Sequence, residues 1–132
     1  MSAQEFDDLF PAEVLARLFP AERADQFFEA LFGDATEGSY DIALQFDGFD
    51  PKRRLLNFAL HLQERPQKCL ACNLTHGLPQ VFGRHPVINI NGLVREIDQL
   101  LANRGRCQSW SLGSTIQASR QLHIIPLVIK LN

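Results

Sequence analysis

The hydrophobic positions change their period along the chain. Val14, Leu15 and Leu18 share one stripe behind Pro11, whose fixed φ suits a first helical turn. Phe19-Pro20 ends that helix. Ala24, Phe27, Phe28, Leu31 and Phe32 then recur at helical spacing before Gly33, a residue suited to a left-handed C-cap. This Phe-rich stripe is expected to pack into the core. From Tyr40 the period drops to two, as Tyr40, Ile42, Leu44 and Phe46 alternate with Asp41, Ala43, Gln45 and Asp47. After the turn formers Gly48-Phe49-Asp50-Pro51, a second alternation carries Leu56, Phe58, Leu60 and Leu62, which predicts a β-hairpin. His61 falls on its polar side, where an exposed imidazole is expected.

Residues 66–90 keep neither period. Pro66, Pro79, Pro86, Gly77 and Gly83 interrupt them, and Pro66 and Pro79 are each placed to start a single helical turn. So long a stretch without sustained structure is uncommon in a small domain and tends to carry function. A helix returns with Asn89 or Asn91 as its cap and Leu93, Val94, Ile97, Leu100 and Leu101 on one face. Asn103-Arg104-Gly105 ends it. Trp110 and Leu112 open another alternation, and His123, Ile125, Leu127, Ile129 and Leu131 mark a last strand. Pro126 lies inside that run, and its missing N–H predicts an edge strand or a bulge. The order of elements predicts a single α+β domain over residues 1–132. Its helices pack on one face of a four-stranded, mostly antiparallel sheet, with residues 66–90 as an irregular Cys/Pro/Gly-rich insertion.

Composition adds one constraint and one asymmetry. With 132 residues, 45% apolar and 21% charged, the chain fits one globular core and excludes disordered or collagen-like classes. The net charge of −2 conceals 12 acids against 2 bases in residues 1–50, and 3 acids against 11 bases in residues 51–132. Docking of the acidic part on the basic part is the expected reading. Lys52, Arg53, Arg54, Arg65, Lys68, Arg104 and Arg106 would form an anion patch only if folding gathered them away from acids. A pI near 6.0 and the lack of interleaved aromatics argue against a nucleic-acid partner. No apolar run approaches the roughly 18–20 residues of a membrane helix, and the acidic N-terminal stretch lacks a basic targeting region. A cytoplasmic protein with no membrane partner is expected.

The densest group of chemical side chains is Lys68-Cys69-Leu70-Ala71-Cys72-Asn73-Leu74-Thr75-His76, with His85 further on and Cys107 as the third cysteine. An odd count of cysteines points to thiols in a reducing compartment. Cysteines three apart can turn both sulfurs to one centre, and zinc would take further ligands from His76, His85 and Cys107. A thiol-redox pair is the alternative, because a helix N-terminus or a neighbouring lysine stabilises thiolate. The third reading treats the cysteines as small buried hydrophobes, and Cys107 alone reads that way. His123, on the apolar side of the last strand, reads as a structural strand-end residue. Phosphate loops, Gly-x-Ser-x-Gly elbows and His-Glu-x-x-His helices do not occur. Glu64, Glu96 and Asp98 are the acids after Asp50 and suggest no carboxylate pair. The expected function is a non-enzymatic binding or regulatory module, with a metal (zinc) or small-ligand site at Cys69/Cys72. Its partner would be a small ligand, a protein, or a second copy pairing along an exposed last strand.

The run Cys-Leu-Ala-Cys-Asn-Leu-Thr-His-Gly-Leu-Pro-Gln-Val-Phe over Cys69–Phe82 resembles the signature of a family of small bacterial proteins. The resemblance extends over most of the chain, including the Phe-rich helix and the hairpin. Some similar proteins carry a homeobox-type label. A homeodomain needs a basic recognition helix with an adenine-reading Asn, and no helical segment here is basic enough. Similar proteins carry tyrosine where this chain has His76, so the resemblance does not make His76 an obligatory ligand. It implies a discrete family fold and brings no activity with it.

Overall fold

Proline and glycine set the first boundaries of the fold, as the pattern predicts. The structure, a computed structural model, describes residues 6–34, 38, 40–68 and 77–132. After a 3-10 turn at Asp7–Leu9, helix α1 (Ala12–Leu18) starts directly behind Pro11. Helix α2 (Glu22–Phe32) follows and ends on Gly33 at φ +79°, where the Gly33 N–H donates to Glu29 O. Ala24, Phe27 and Phe28 are buried, but Leu31 and Phe32 are 52% and 57% exposed. The last turn of α2 therefore carries its apolar side chains beyond the core, with Phe32 stacked on Phe28 at 6.0 Å.

Strands β1 (Tyr40–Asp50) and β2 (Leu55–Glu64) form the predicted hairpin, with a bulge between Phe46 and Gly48. Helix α3 (Leu78–Arg84) takes Pro79 into its first turn, so part of the irregular stretch is helical. Helix α4 (Ile90–Leu101) is capped by Asn89, whose Oδ1 accepts the Gly92 N–H at 3.1 Å. Strands β3 (Cys107–Leu112), β4 (Ile116–Gln117) and β5 (Leu122–Leu131) complete the chain. His61 is half-buried rather than exposed.

Among the described residues the sheet has five strands in the order β1-β2-β5-β3, with β4 also on β5, and every pairing is antiparallel. Two expectations change here. The third predicted strand, the one opened by Trp110 and Leu112, is split in two. Leu112 pairs with Leu127 and Ile116 with Ile124, so β3 and β4 follow one another along the same side of β5. The last strand is also internal, not an edge, so it offers no free side to a second copy. Pro126 explains the split. Gly113 N–H donates to Pro126 O at 2.8 Å, which shows that the Pro126 peptide faces the β3/β4 side. Its missing N–H thus falls in the gap between Leu112 and Ile116. The proline interrupts its neighbour instead of demoting its own strand.

Burial alternates along β1 and β5, whereas in β2 Ala59 is buried on the opposite face as well. Ile42 and Leu44, Leu56, Phe58, Leu60 and Leu62, and Ile125, Leu127, Ile129 and Leu131 are buried, whereas Asp41, Ala43, Gln45 and Asp47 are exposed. Helices α1 and α2 lie along β1, and α3 and α4 along β3. Phe10 and Phe46 close over Phe58, with ring centroids 5.0 and 5.1 Å from it. Among the described residues no helix is long and apolar enough to cross a membrane.

The charge asymmetry resolves into tertiary contacts. Arg65 meets Asp25 at 2.7 Å and Asp41 at 3.0 Å, and Arg104 meets Asp8 at 2.9 Å. Each pair joins an acid of the first 50 residues to a base of the remainder. The split is a device for docking α2, β1 and the N-terminal turn onto the later elements.

Candidate functional site

The chain enters its cysteine-bearing segment from a tightly held end of β2. Arg65 is bound by two aspartates, lies with its guanidinium 5.5 Å from the Phe28 ring centroid, and has a side chain only 15% exposed. The adjacent Tyr40 is buried, and burial raises its phenol above the ordinary range against the smaller opposing pull of Arg65. Lys68 N–H closes a turn onto Arg65 O at 3.1 Å. Cys69, Cys72 and His76 follow and lie outside the described residues. The chain is next described at Gly77, which leads into α3, whose Phe82 is fully buried. Both ends of the segment are therefore anchored.

His85 sits at the C-terminal cap of α3, with its ring edge-to-face on Phe27 at 4.8 Å. Its Nδ1 accepts the Val87 N–H at 3.2 Å. With Nδ1 acting as acceptor, the neutral ring carries its proton on Nε2, so a metal at Nε2 would have to displace that proton and break this arrangement.

Cys107 lies elsewhere, in a cleft of about 320 Å³ between α4 and β3, lined by Asn91, Val94, Arg95, Asp98 and Trp110. The Cys107 N–H donates to Asp98 Oδ1 at 2.8 Å and its thiol points to Val94 O at 3.9 Å. Burial, reinforced by the Asp98 carboxylate, pushes the Cys107 thiol up to about 12. Such a thiol stays protonated at neutral pH and is neither a ready nucleophile nor a ready ligand. Arg106 meets Asp98 at 3.5 Å, and Trp110 Nε1–H donates to Asn91 Oδ1 at 3.0 Å, so the polar groups of this cleft satisfy one another.

The two predicted site residues that are described, His85 and Cys107, thus lie on separate elements. Among the described residues no three His, Cys, Asp or Glu side chains converge as a metal would require. His123 is buried at the end of β5 nearest β4, opposite Leu62. Part of the basic set does gather: Arg53, Arg54, Arg106 and Lys130 meet where β2 begins and β5 ends, with the Asn132 N–H donating to Arg106 O at 3.1 Å. Arg65 and Arg104 face acids, Arg54 Nε–H donates to Asn132 O at 2.7 Å, and the Arg53 carbonyl accepts from Lys130 Nζ at 3.3 Å. Sequence reasoning missed Asp98, which holds the backbone of Cys107 across the α4–β3 turn. No local pattern marks that role, because it depends on how the helix end meets the strand.

Comparison with protein-family models, with curated proteins and with solved structures returns no match.

Proposed function

We propose that this protein is a non-enzymatic binding or regulatory module in which the segment carrying Cys69 and Cys72 holds a metal, zinc by its donor set, or shapes a small-ligand pocket. The observation that supports the reading is the anchoring of that segment at both ends. Arg65 is tied to two aspartates on one side and α3 is fixed by buried Phe82 on the other. Donors of the type zinc prefers, two thiols and His76, fall within a short stretch between these anchors. His85 is the first described histidine after the segment, and its ligation requires the ring to give up the Val87 contact. Cys107, protonated beside Asp98, is the weakest member of the set.

In this reading the helices cover one face of the sheet and the protein works in the cytoplasm with reduced thiols. Its partner is a small ligand or a protein, not a membrane or a nucleic acid. The Cys69–Phe82 run resembles the signature of a family of small bacterial proteins, and in this reading the chain is one of them. Elemental analysis of protein purified without added metal tests the reading. One zinc per chain, lost in the Cys69→Ser/Cys72→Ser double variant, is expected; metal-free protein with thiols inert in the native state would overturn it.

A redox pair is the second reading, favoured by exposed Lys68 directly before Cys69. It requires a disulfide between Cys69 and Cys72 that forms and reduces reversibly. Slow alkylation of both thiols at neutral pH would remove it.

A further inference from the structure

We infer that the outer edge of β1, together with the apolar groove beside α1, accepts an extended basic segment of another protein as an added strand. β1 is the terminal strand of the sheet. The direction of its peptide groups follows from one hydrogen bond. Glu64 N–H donates to Gln121 O of the chain leading into β5, so even-numbered residues of β2 turn their amides towards β5. Odd-numbered residues of β2 therefore serve β1, and their partners are Asp41, Ala43 and Gln45. By the same alternation Tyr40, Ile42, Leu44 and Phe46 point their N–H and C=O groups off the sheet. Among the described residues no hydrogen bond reaches these four peptide groups from outside the hairpin.

A groove of about 200 Å³ runs along this edge, lined by Ala12, Leu15, Ala16, Phe19 and Ala21 opposite residues 42–45. Ile42 and Leu44 point into the core whereas Ala43 and Gln45 point the other way. A cavity touching all four in a row touches the edge itself. Ala12, Ala16 and Ala21 end at Cβ and leave room on the helix side for the alternate side chains of an incoming strand. The edge carries none of the usual protection up to Phe46, with neither proline nor lysine, and its bulge comes after that residue.

The charge around the groove selects the partner. Glu13 on α1, Glu22 on α2 and Asp47 on β1 are exposed and form no ion pair among the described residues, and residues 1–50 hold two bases. Of those two bases, Arg17 lines the opposite side of α1 beside Glu96, and Arg23 lies over the Phe19 ring at 4.8 Å. A second copy offering the same edge would bring two acid-rich surfaces together. The other edge of the sheet is broken by the β3/β4 gap and is a poor template for strand addition. A lysine- or arginine-bearing segment with apolar residues at alternate positions satisfies the edge amides, the groove and the charge at once.

The probe is a fluorescein-labelled peptide, Gly-Lys-Val-Lys-Val-Lys-Val-Lys-Gly, read by anisotropy on the full chain at low salt. Three outcomes together support the proposal. The peptide binds saturably and protects the Ile42 and Leu44 amides from hydrogen exchange. Its N-methylated and its Glu-for-Lys versions bind about tenfold or more weakly. Ala16→Trp, on an exposed helix position and checked for an unchanged circular dichroism spectrum, lowers affinity by a similar factor. Binding unaffected by N-methylation or by Ala16→Trp, or protection of Ile42 and Leu44 by dimerisation without peptide, would overturn it. The test is independent of metal content, so the cysteine reading and this one can fail separately.

Discussion

Replacing Arg65 by alanine is the sharpest test of how the acidic and basic parts of the chain are joined. The side chain is 15% exposed and touches α2 through Asp25, β1 through Asp41 and the core through the Phe28 ring. The two aspartates are 55% and 64% exposed, so each ion pair contributes no more than about 0.5 kcal/mol after solvent screening. The contact with the ring adds about 0.5 kcal/mol. Covering the aliphatic stem of the arginine adds about 1 kcal/mol. Arg65→Ala is therefore expected to lower stability by about 2–2.5 kcal/mol, which for a chain of this size is a fall in Tm of about 7–9 °C. Arg65→Lys should recover part of the loss, because a single ammonium cannot hold two carboxylates in a fork. Urea denaturation of the wild type, Arg65→Ala, Asp25→Asn and Asp41→Asn, at low and at high salt, measures these differences. A loss below about 0.5 kcal/mol for Arg65→Ala would refute the claim that this contact docks the two parts.

Three further outcomes follow from the packing and the termini. Phe58→Ala, which empties a fully buried site between Phe10 and Phe46, should cost about 3–5 kcal/mol in the same assay. Gly33→Ala meets no atom within 4 Å but must hold φ +79°, so its cost is conformational, about 1 kcal/mol, and thermal unfolding should show it. Asp8 is held below the ordinary carboxylate range, first by its hydrogen bond from Arg104 and then by that charge, with desolvation opposing. A depressed folded-state value makes the contribution present above the unfolded carboxylate range and lost as pH falls. Asp8→Asn should accordingly lower stability slightly at neutral pH, converge with the wild type in acid, and so flatten the acid side of the stability profile.

The elements were legible wherever a local rule decides the backbone. Pro11, Gly33 and Asn89 stand at the boundaries their chemistry predicts, and the period-two runs of β1 and β2 pair as a hairpin. The break between β3 and β4 was not legible, because it depends on which side of β5 the Pro126 peptide faces. Only the Gly113 contact reveals that side. The exposure of Leu31 and Phe32 escaped the pattern for a similar reason. Periodicity reports which side chains share a stripe, whereas the reach of the core decides how many of them it covers. The charge split was visible as a composition, but its meaning required the pairing of Arg65 and Arg104 with aspartates far away in the chain. Of the candidate ligands, His85 and Cys107 are now assigned to separate elements with defined contacts of their own.

Differential alkylation of the three cysteines in the native protein, before and after a chelator, tests the functional claim most directly. Cys107 serves as an internal reference, since its thiol is pushed up to about 12 beside Asp98 and should react slowly throughout. Cys69 and Cys72 are predicted to be protected as purified and to become reactive together once the chelator removes the metal. Equal and unchanged reactivity of Cys69 and Cys72 with and without the chelator would contradict the metal site.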